Sequence, residues 1–187
     1  RQHHARILNL DAHADVLHPE SRAQYLRSGE RSRIDLARLR EGGMDAVTLA
    51  VAVGPGPRTA ESHAAAQREA RERLELIRGF VAGSGGAAEL AGSAADIERI
   101  AAAGRVAVLP SFQNARILGG DVNAIDDWYR DGVRVFGFTH AGNNEFADSS
   151  RPTPPEGELH GGLSPLGREA VARLNDLGVV IDVSQLT

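Results

Sequence analysis

The sequence predicts an α/β protein built around a parallel sheet, and three observations carry that expectation. Strand-like and helix-like stretches alternate five times along the chain. The strand-like stretches are too uniformly apolar to have one wet face, as expected of strands covered on both sides by crossover helices. Polar residues able to do chemistry collect just after those strands, at the carboxyl ends where α/β proteins build their sites.

The elements follow in order. Ile7, Leu8 and Leu10 form the first apolar run, closing on Asp11-Ala12-His13-Ala14-Asp15. After a polar loop, residues 34–40 have helical spacing and stop at Gly42-Gly43. Residues 46–53 read as a buried strand ended by Gly54-Pro55-Gly56-Pro57. The longest helical pattern runs from about Ser62 to Val81, with Leu74, Ile77 and Val81 on one face and solvated Arg and Glu opposite. Gly83 to Gly86 is a flexible break, and Ser93 to Asp96 resembles the cap of a helix running to Gly104. Strands are expected at 106–112, 133–139 and 179–183, and helices at 123–131 and 165–177, the last ended by Gly178.

Composition bounds the function. A chain of 187 residues and 19.9 kDa suits one domain or the larger part of one. With 21 basic and 25 acidic residues the net charge is −4, and every basic residue is Arg. A mildly acidic chain without an Arg-rich run is a poor nucleic-acid binder. No apolar stretch approaches the roughly 18–20 residues that span a bilayer. Aromatics at 4% point to an aliphatic core of Ala, Val, Leu and Ile. Without cysteine there are no disulfides and no thiolate metal site. A closed barrel takes eight βα units and about 250 residues; five units leave both an open doubly wound sheet and part of a barrel in view.

The candidate site residues stand at the strand ends. His13 and Asp15, two apart, can point to the same side, and imidazole and carboxylate are suitable zinc ligands. A strand-capping His with a turn-forming Asp fits the same pair. Gln113 and Asn114 end the third strand, His140 the fourth, and Asp182, Ser184 and Gln185 the fifth. His140 also suits a purely hydrogen-bonding role, and Asn143, Asn144 and Asp148 suit turns. His160-Gly161-Gly162 lacks the glycine and lysine pattern of a phosphate cradle. His3, His4, His18 and His63 read as loop or solvated-face residues.

Taken in order, several blocks resemble the membrane (renal) dipeptidase family of zinc peptidases. They are Asp11-Ala12-His13-Ala14-Asp15, Asp35-Leu36-x-x-Leu39-x-x-Gly42-Gly43 and Gly132-Val133-Arg134 leading to Phe138-Thr139-His140. Asn143-Asn144 with Ala147-Asp148-Ser149, then residues 160–169 (HGGLSPLGRE), follow, and the chain closes on residues 177–184 (LGVVIDVS). The resemblance covers essentially the whole chain. It implies a (β/α)₈ TIM barrel, of which residues 1–187 form the N-terminal part, a single domain of about the first five βα units. It further implies a two-zinc site that hydrolyses dipeptides, including those with a D-residue at the carboxyl side.

By that resemblance His13 and Asp15 bind one zinc, and His140 contacts substrate and helps polarise the scissile carbonyl. Asn114 and Asn143 are expected beside the substrate. A glutamate expected to bridge both metals is replaced by Gln113, and a histidine expected on the second metal by Gln185. A carboxamide is a neutral, weaker zinc ligand, so of the one or two zinc ions the second is in doubt, and the paired change points to a one-metal or metal-poor site with peptidase activity reduced, redirected to another substrate or absent. The rival reading is a non-catalytic relative that binds a small peptide-derived ligand. The open-sheet reading loses because no glycine fingerprint follows the first strand. Expected partners are a small peptide substrate and, as one admissible assembly, a homodimer. The family is commonly extracytoplasmic and the chain opens on Arg1, which leans towards a periplasmic or secreted location.

Overall fold

A computed structural model describes residues 7–15 and 34–187. His3, His4 and His18 lie outside the described residues. The chain divides into two compact units, one taking in residues up to 50 with 73–110, the other 51–72 with 111–187.

The first unit opens on β1 (Leu10–Ala14). Most of the apolar run lies outside the strand: Ile7 and Leu8 are exposed, and the pairing begins at Leu10, the last residue of the run. The short α1 (Leu36–Glu41) is started by buried Asp35, whose carboxylate accepts from Arg38 N–H at 2.9 Å. Strand β2 (Ala46–Val51) is buried throughout and pairs in parallel with β1. Helix α2 (Ala60–Ala82) runs from the second unit into the first.

After it comes β3 (Ala88–Leu90), a strand that the glycine-rich break at 83–86 conceals in the sequence. Three residues are too few to show a periodicity. Helix α3 (Ala94–Ala102) starts at Ser93, whose hydroxyl accepts from Asp96 N–H at 3.1 Å, as the sequence predicts. Strand β4 (Val106–Phe112) is buried along its whole length and pairs in parallel with β3. It also receives β2, Ala107 N–H donating to the Asp45 carbonyl at 2.8 Å. Ala46, Ala91, Ile100, Ala107 and Leu109 form a small-residue aliphatic core here.

The second unit takes the end of β4, a 3₁₀ helix (Ala115–Leu118), α4 (Ala124–Arg130), β5 (Val135–Gly137), α5 (Pro165–Leu177) and β6 (Val180–Asp182). β5 pairs in parallel with β4 and β6 with β5. The expectation of an aliphatic core fails in this unit. Phe112 stands edge-on to Trp128 at 4.9 Å and 5.1 Å from Phe136, which lies 5.2 Å from Phe138. A low overall aromatic content says nothing about where the few aromatics gather, and among the described residues all but Phe80 lie in this unit.

Two small residues fix how α5 meets the long connection before it. Ser164 caps the helix, accepting from Gly167 N–H at 3.0 Å and donating to the Glu145 carbonyl at 2.7 Å. A Cβ on Gly167 would stand 2.1 Å from the Phe146 carbonyl oxygen, so this position admits only glycine.

Candidate functional site

In the first unit the site residues are His13 and Asp15. His13 is the fourth residue of β1, Asp15 follows its last residue, and both side chains are exposed. The backbone N–H of His13 donates to Asp11 Oδ1 at 3.1 Å, which fixes the strand's carboxyl end. An imidazole and a carboxylate two residues apart match the donor types that hold zinc. Among the described residues, no three His, Cys, Asp or Glu side chains gather as a metal cluster.

In the second unit the site is built on the connection from β5 to α5, residues 138–164. Buried Asp148 is its anchor, accepting backbone N–H bonds from His160 at 2.7 Å, Leu159 at 3.0 Å and Gly162 at 3.3 Å. Burial alone would raise its pKa, but those N–H groups and the His160 charge outweigh it and hold the carboxyl below its ordinary range. His160 therefore serves this anchor, and its ring donates to the Asn144 carbonyl at 2.9 Å.

Asn144 is the second anchor. Its Nδ2 donates to the Phe138 carbonyl at 2.7 Å and to Asn114 Oδ1 at 3.0 Å, and its Oδ1 accepts from Phe146 N–H and Ala147 N–H. Asn114 also caps the 3₁₀ helix through Arg116 N–H and is buried. Asn143, 8% exposed, accepts from Ser149 N–H at 2.9 Å and donates to the Gly157 carbonyl at 2.7 Å. Both asparagines are thus committed to the connection's own backbone, though Asn143 also lines a cleft of about 340 Å³ with Pro55, Gly56, Gly142, Thr153 and Pro154.

Beneath that cleft lies a cation that sequence reasoning passed over. Arg116 is 8% exposed, and its guanidinium donates to the Gly54 carbonyl at 3.1 Å and to Ser62. A Cβ on Gly56 would meet Arg116 Nη2 at 2.4 Å, which gives the Gly-Pro-Gly-Pro turn its second glycine. His63, expected on a solvated face, is instead largely buried, its Nε2 donating to Glu145 Oε1 at 2.9 Å. A residue on a charged face carries no sequence mark of its partner 82 positions away.

His140 stands just beyond β5, half-buried, with its carbonyl accepting from the Ser149 hydroxyl at 2.6 Å. Its Nε2 lies 3.1 Å from Arg151 Nη2. A guanidinium only donates, so Nε2 is the acceptor and the ring proton is on Nδ1. The same Nη2 donates to Gln185 Oε1 at 2.9 Å. Gln185 has φ +63, the one non-glycine residue in the left-handed region among the described residues. Its carbonyl accepts from Thr139 Oγ1 at 2.8 Å and Ser150 N–H at 3.0 Å, which offsets a backbone strain of about 1 kcal/mol. Gln113, at the carboxyl end of β4, is 8% exposed.

These placements decide the fit of two metal ions differently. His13 and Asp15 suit one. Gln113 and Gln185 do not suit another: both are neutral, and a permanent cation sits within hydrogen-bonding distance of the one oxygen Gln185 could offer.

Parallel strands in the order β1-β2-β4-β5-β6, with β3 set beside β4 and polar residues at the carboxyl ends, form an α/β half-barrel, part of a (β/α)₈ barrel. The model of the "Membrane dipeptidase (Peptidase family M19)" family matches residues 2–187, and the chain belongs to that family. It is 30% identical over 158 residues to "Dipeptidase tcpJ" of Claviceps purpurea (strain 20.1), covering 82% of this chain and 36% of that one. Among solved structures it is similar to the "probable dipeptidase PvdM from Pseudomonas aeruginosa", with TM-score 0.87 and 35% identity over all of this chain and 48% of that one. It is also similar to "dipeptidase AC, Metallo peptidase", with TM-score 0.81 and 25% identity over 96% of this chain and 56% of that one. The chain therefore spans about half the length of those structures, and less of the curated relative.

Proposed function

We propose that the protein is a dipeptidase-like hydrolase working with one metal ion, zinc by family habit, held in part by His13 and Asp15. The supporting observation is the β5 end, where His140 stands half-buried beside Arg151 on a connection pinned by Asp148 and Asn144. A bound metal ion would acidify water and polarise a peptide carbonyl. The protein's own residues do the rest. His140, just beyond the end of β5, is the residue that would meet a substrate carbonyl and help polarise it. Asn143 and the proline-lined cleft offer a short, rigid wall for a small side chain. The resemblance and the dipeptidase names of its relatives support a dipeptide as substrate.

A second reading is favoured by one observation, the commitment of Gln185 Oε1 to Arg151: a relative that binds a peptide-derived ligand without cleaving it. Metal content by elemental analysis, after equilibration of the full-length protein with zinc, separates the readings together with hydrolysis of Ala-Ala. About one zinc per chain and a cleavage rate lost in His13→Ala and Asp15→Asn is the expected result. No zinc and no cleavage would leave the binding protein. Nearly two zincs would overturn the one-metal site.

A further inference from the structure

We propose that the cavity between two turns at the amino ends of β2 and β4 binds a free α-amino acid as its zwitterion. The inference goes beyond the hydrolase reading and uses none of the residues placed in it. Helix α1 runs into β2 through residues 42–45, and α3 into β4 through residues 103–105. Both turns close in the same way. Gly43 and Gly104 are left-handed, at φ +67 and +69. Gly43 N–H donates to the Arg40 carbonyl and Met44 N–H to the Leu39 carbonyl, as Gly104 N–H does to Ala101 and Arg105 N–H to Ile100. Ala107 N–H donates to the Asp45 carbonyl at 2.8 Å and sets the two turns side by side.

A cavity of about 160 Å³ lies between them, walled by Arg40, Met44, Asp45, Ala101, Arg105 and Val106. A Cβ on Gly104 would meet nothing within 4 Å, so that side of the cavity is open. The backbone here is spent on closing the turns, which leaves the side chains to recognise a ligand. Arg40 is exposed, and its side chain makes no hydrogen bond among the described residues. Arg105 gives Nη1 to Glu89 and keeps Nε and Nη2. Asp45 Oδ2 accepts from Asn9 N–H at 2.8 Å, and Oδ1 accepts from none of the described residues. Among those residues neither arginine pairs with Asp45. Opposite charges that line one cavity without neutralising each other fit a ligand carrying both charges close together. An α-amino acid is such a ligand, its carboxylate on the guanidinium donors and its ammonium on Asp45. The cavity is well below the roughly 300 Å³ at which pockets for drug-sized molecules begin. Its wall of Met44, Ala101 and Val106 suits a small apolar side chain, so L-alanine is the probe.

Met44, the single methionine of the sequence, stands in that wall and supplies the readout. In full-length protein with isotope-labelled methionine methyl groups, its resonance is the one lost in Met44→Leu. Titration with L-alanine should shift that resonance to saturation. Propionate and ethylamine, each with one of the two charges, should bind at least about tenfold more weakly. Arg40→Leu and Asp45→Asn should each weaken alanine at least about tenfold, and Arg40→Lys should recover part of the loss. Circular dichroism reports folding of each variant, and the exposed Arg40 carries the test if Asp45→Asn is unfolded. An unmoved Met44 resonance would overturn the proposal. So would propionate or ethylamine binding as tightly as alanine, or Arg40→Leu binding alanine as the wild type does. The readout needs neither turnover nor metal, so a protein that cleaves no dipeptide would sink the hydrolase reading and leave this site standing.

Discussion

Asp148 holds three backbone N–H groups with one buried carboxylate, and it was visible in the sequence only as a loop acid. Its pKa is lowered in the folded protein, so its ionised form binds the connection more tightly than the protonated form does. A lowered carboxylate pKa contributes stability that is present above the unfolded value near 3.9 and lost as pH falls through the folded value. Acid titration followed by chemical denaturation should therefore show stability falling below about pH 4 in wild type and a flatter profile in Asp148→Asn. At neutral pH that variant should cost about 2 kcal/mol, the usual worth of bonds to a charged acceptor. An identical acid limb in both proteins would rule the anchor out. At the same scale, the position of His13 on β1 and of Asp15 just after it was legible from the apolar run that precedes them. Arg151 was not, because nothing in the sequence says that it reaches across 34 positions to Gln185.

Helix α5 shows what the period-based reading could and could not supply. Its length, its Ser164 start and its Gly178 stop were all readable from capping chemistry. The need for Gly167 was not, since an interior glycine ordinarily weakens a helix by about 1 kcal/mol relative to Ala. Gly167→Ala should therefore destabilise by about 3 kcal/mol or more, against the sign of helix propensity, because its Cβ runs into the Phe146 carbonyl. Urea denaturation decides it, and a neutral or stabilising result would mean that the connection yields. Ser164→Ala should cost about 1–2 kcal/mol, losing both the cap and the bond to Glu145. The strands tell a similar story: β2 and β4 were readable as uninterrupted apolar runs, whereas three-residue β3 had no pattern to read. β1 was placed early because Ile7 and Leu8 looked like core and are exposed.

At the scale of the molecule, β1 pairs with β2 alone and β6 with β5 alone among the described residues. Val180 and Val183, on and just after β6, are 61% and 72% exposed. An apolar strand edge of this kind recruits another strand. Residues 1–187 prepared by themselves should associate with rising concentration in sedimentation velocity, and Val180→Lys with Val183→Lys should suppress it. A sharp monomer at high micromolar concentration would count against the edge as a contact. The parallel class was legible because uninterrupted apolar runs are local, and the barrel family because the strand-end motifs that resemble it are local too. The gathering of aromatics into one unit was not, because packing partners lie far apart in the chain. That gathering leaves the protein with an optical asymmetry. Trp128, the single tryptophan, is buried in the second unit against Phe112, with the Arg71 guanidinium 3.8 Å above its ring. Its emission reports on that unit alone while far-ultraviolet dichroism sums over both, so comparing the two melting curves tells whether the halves let go together.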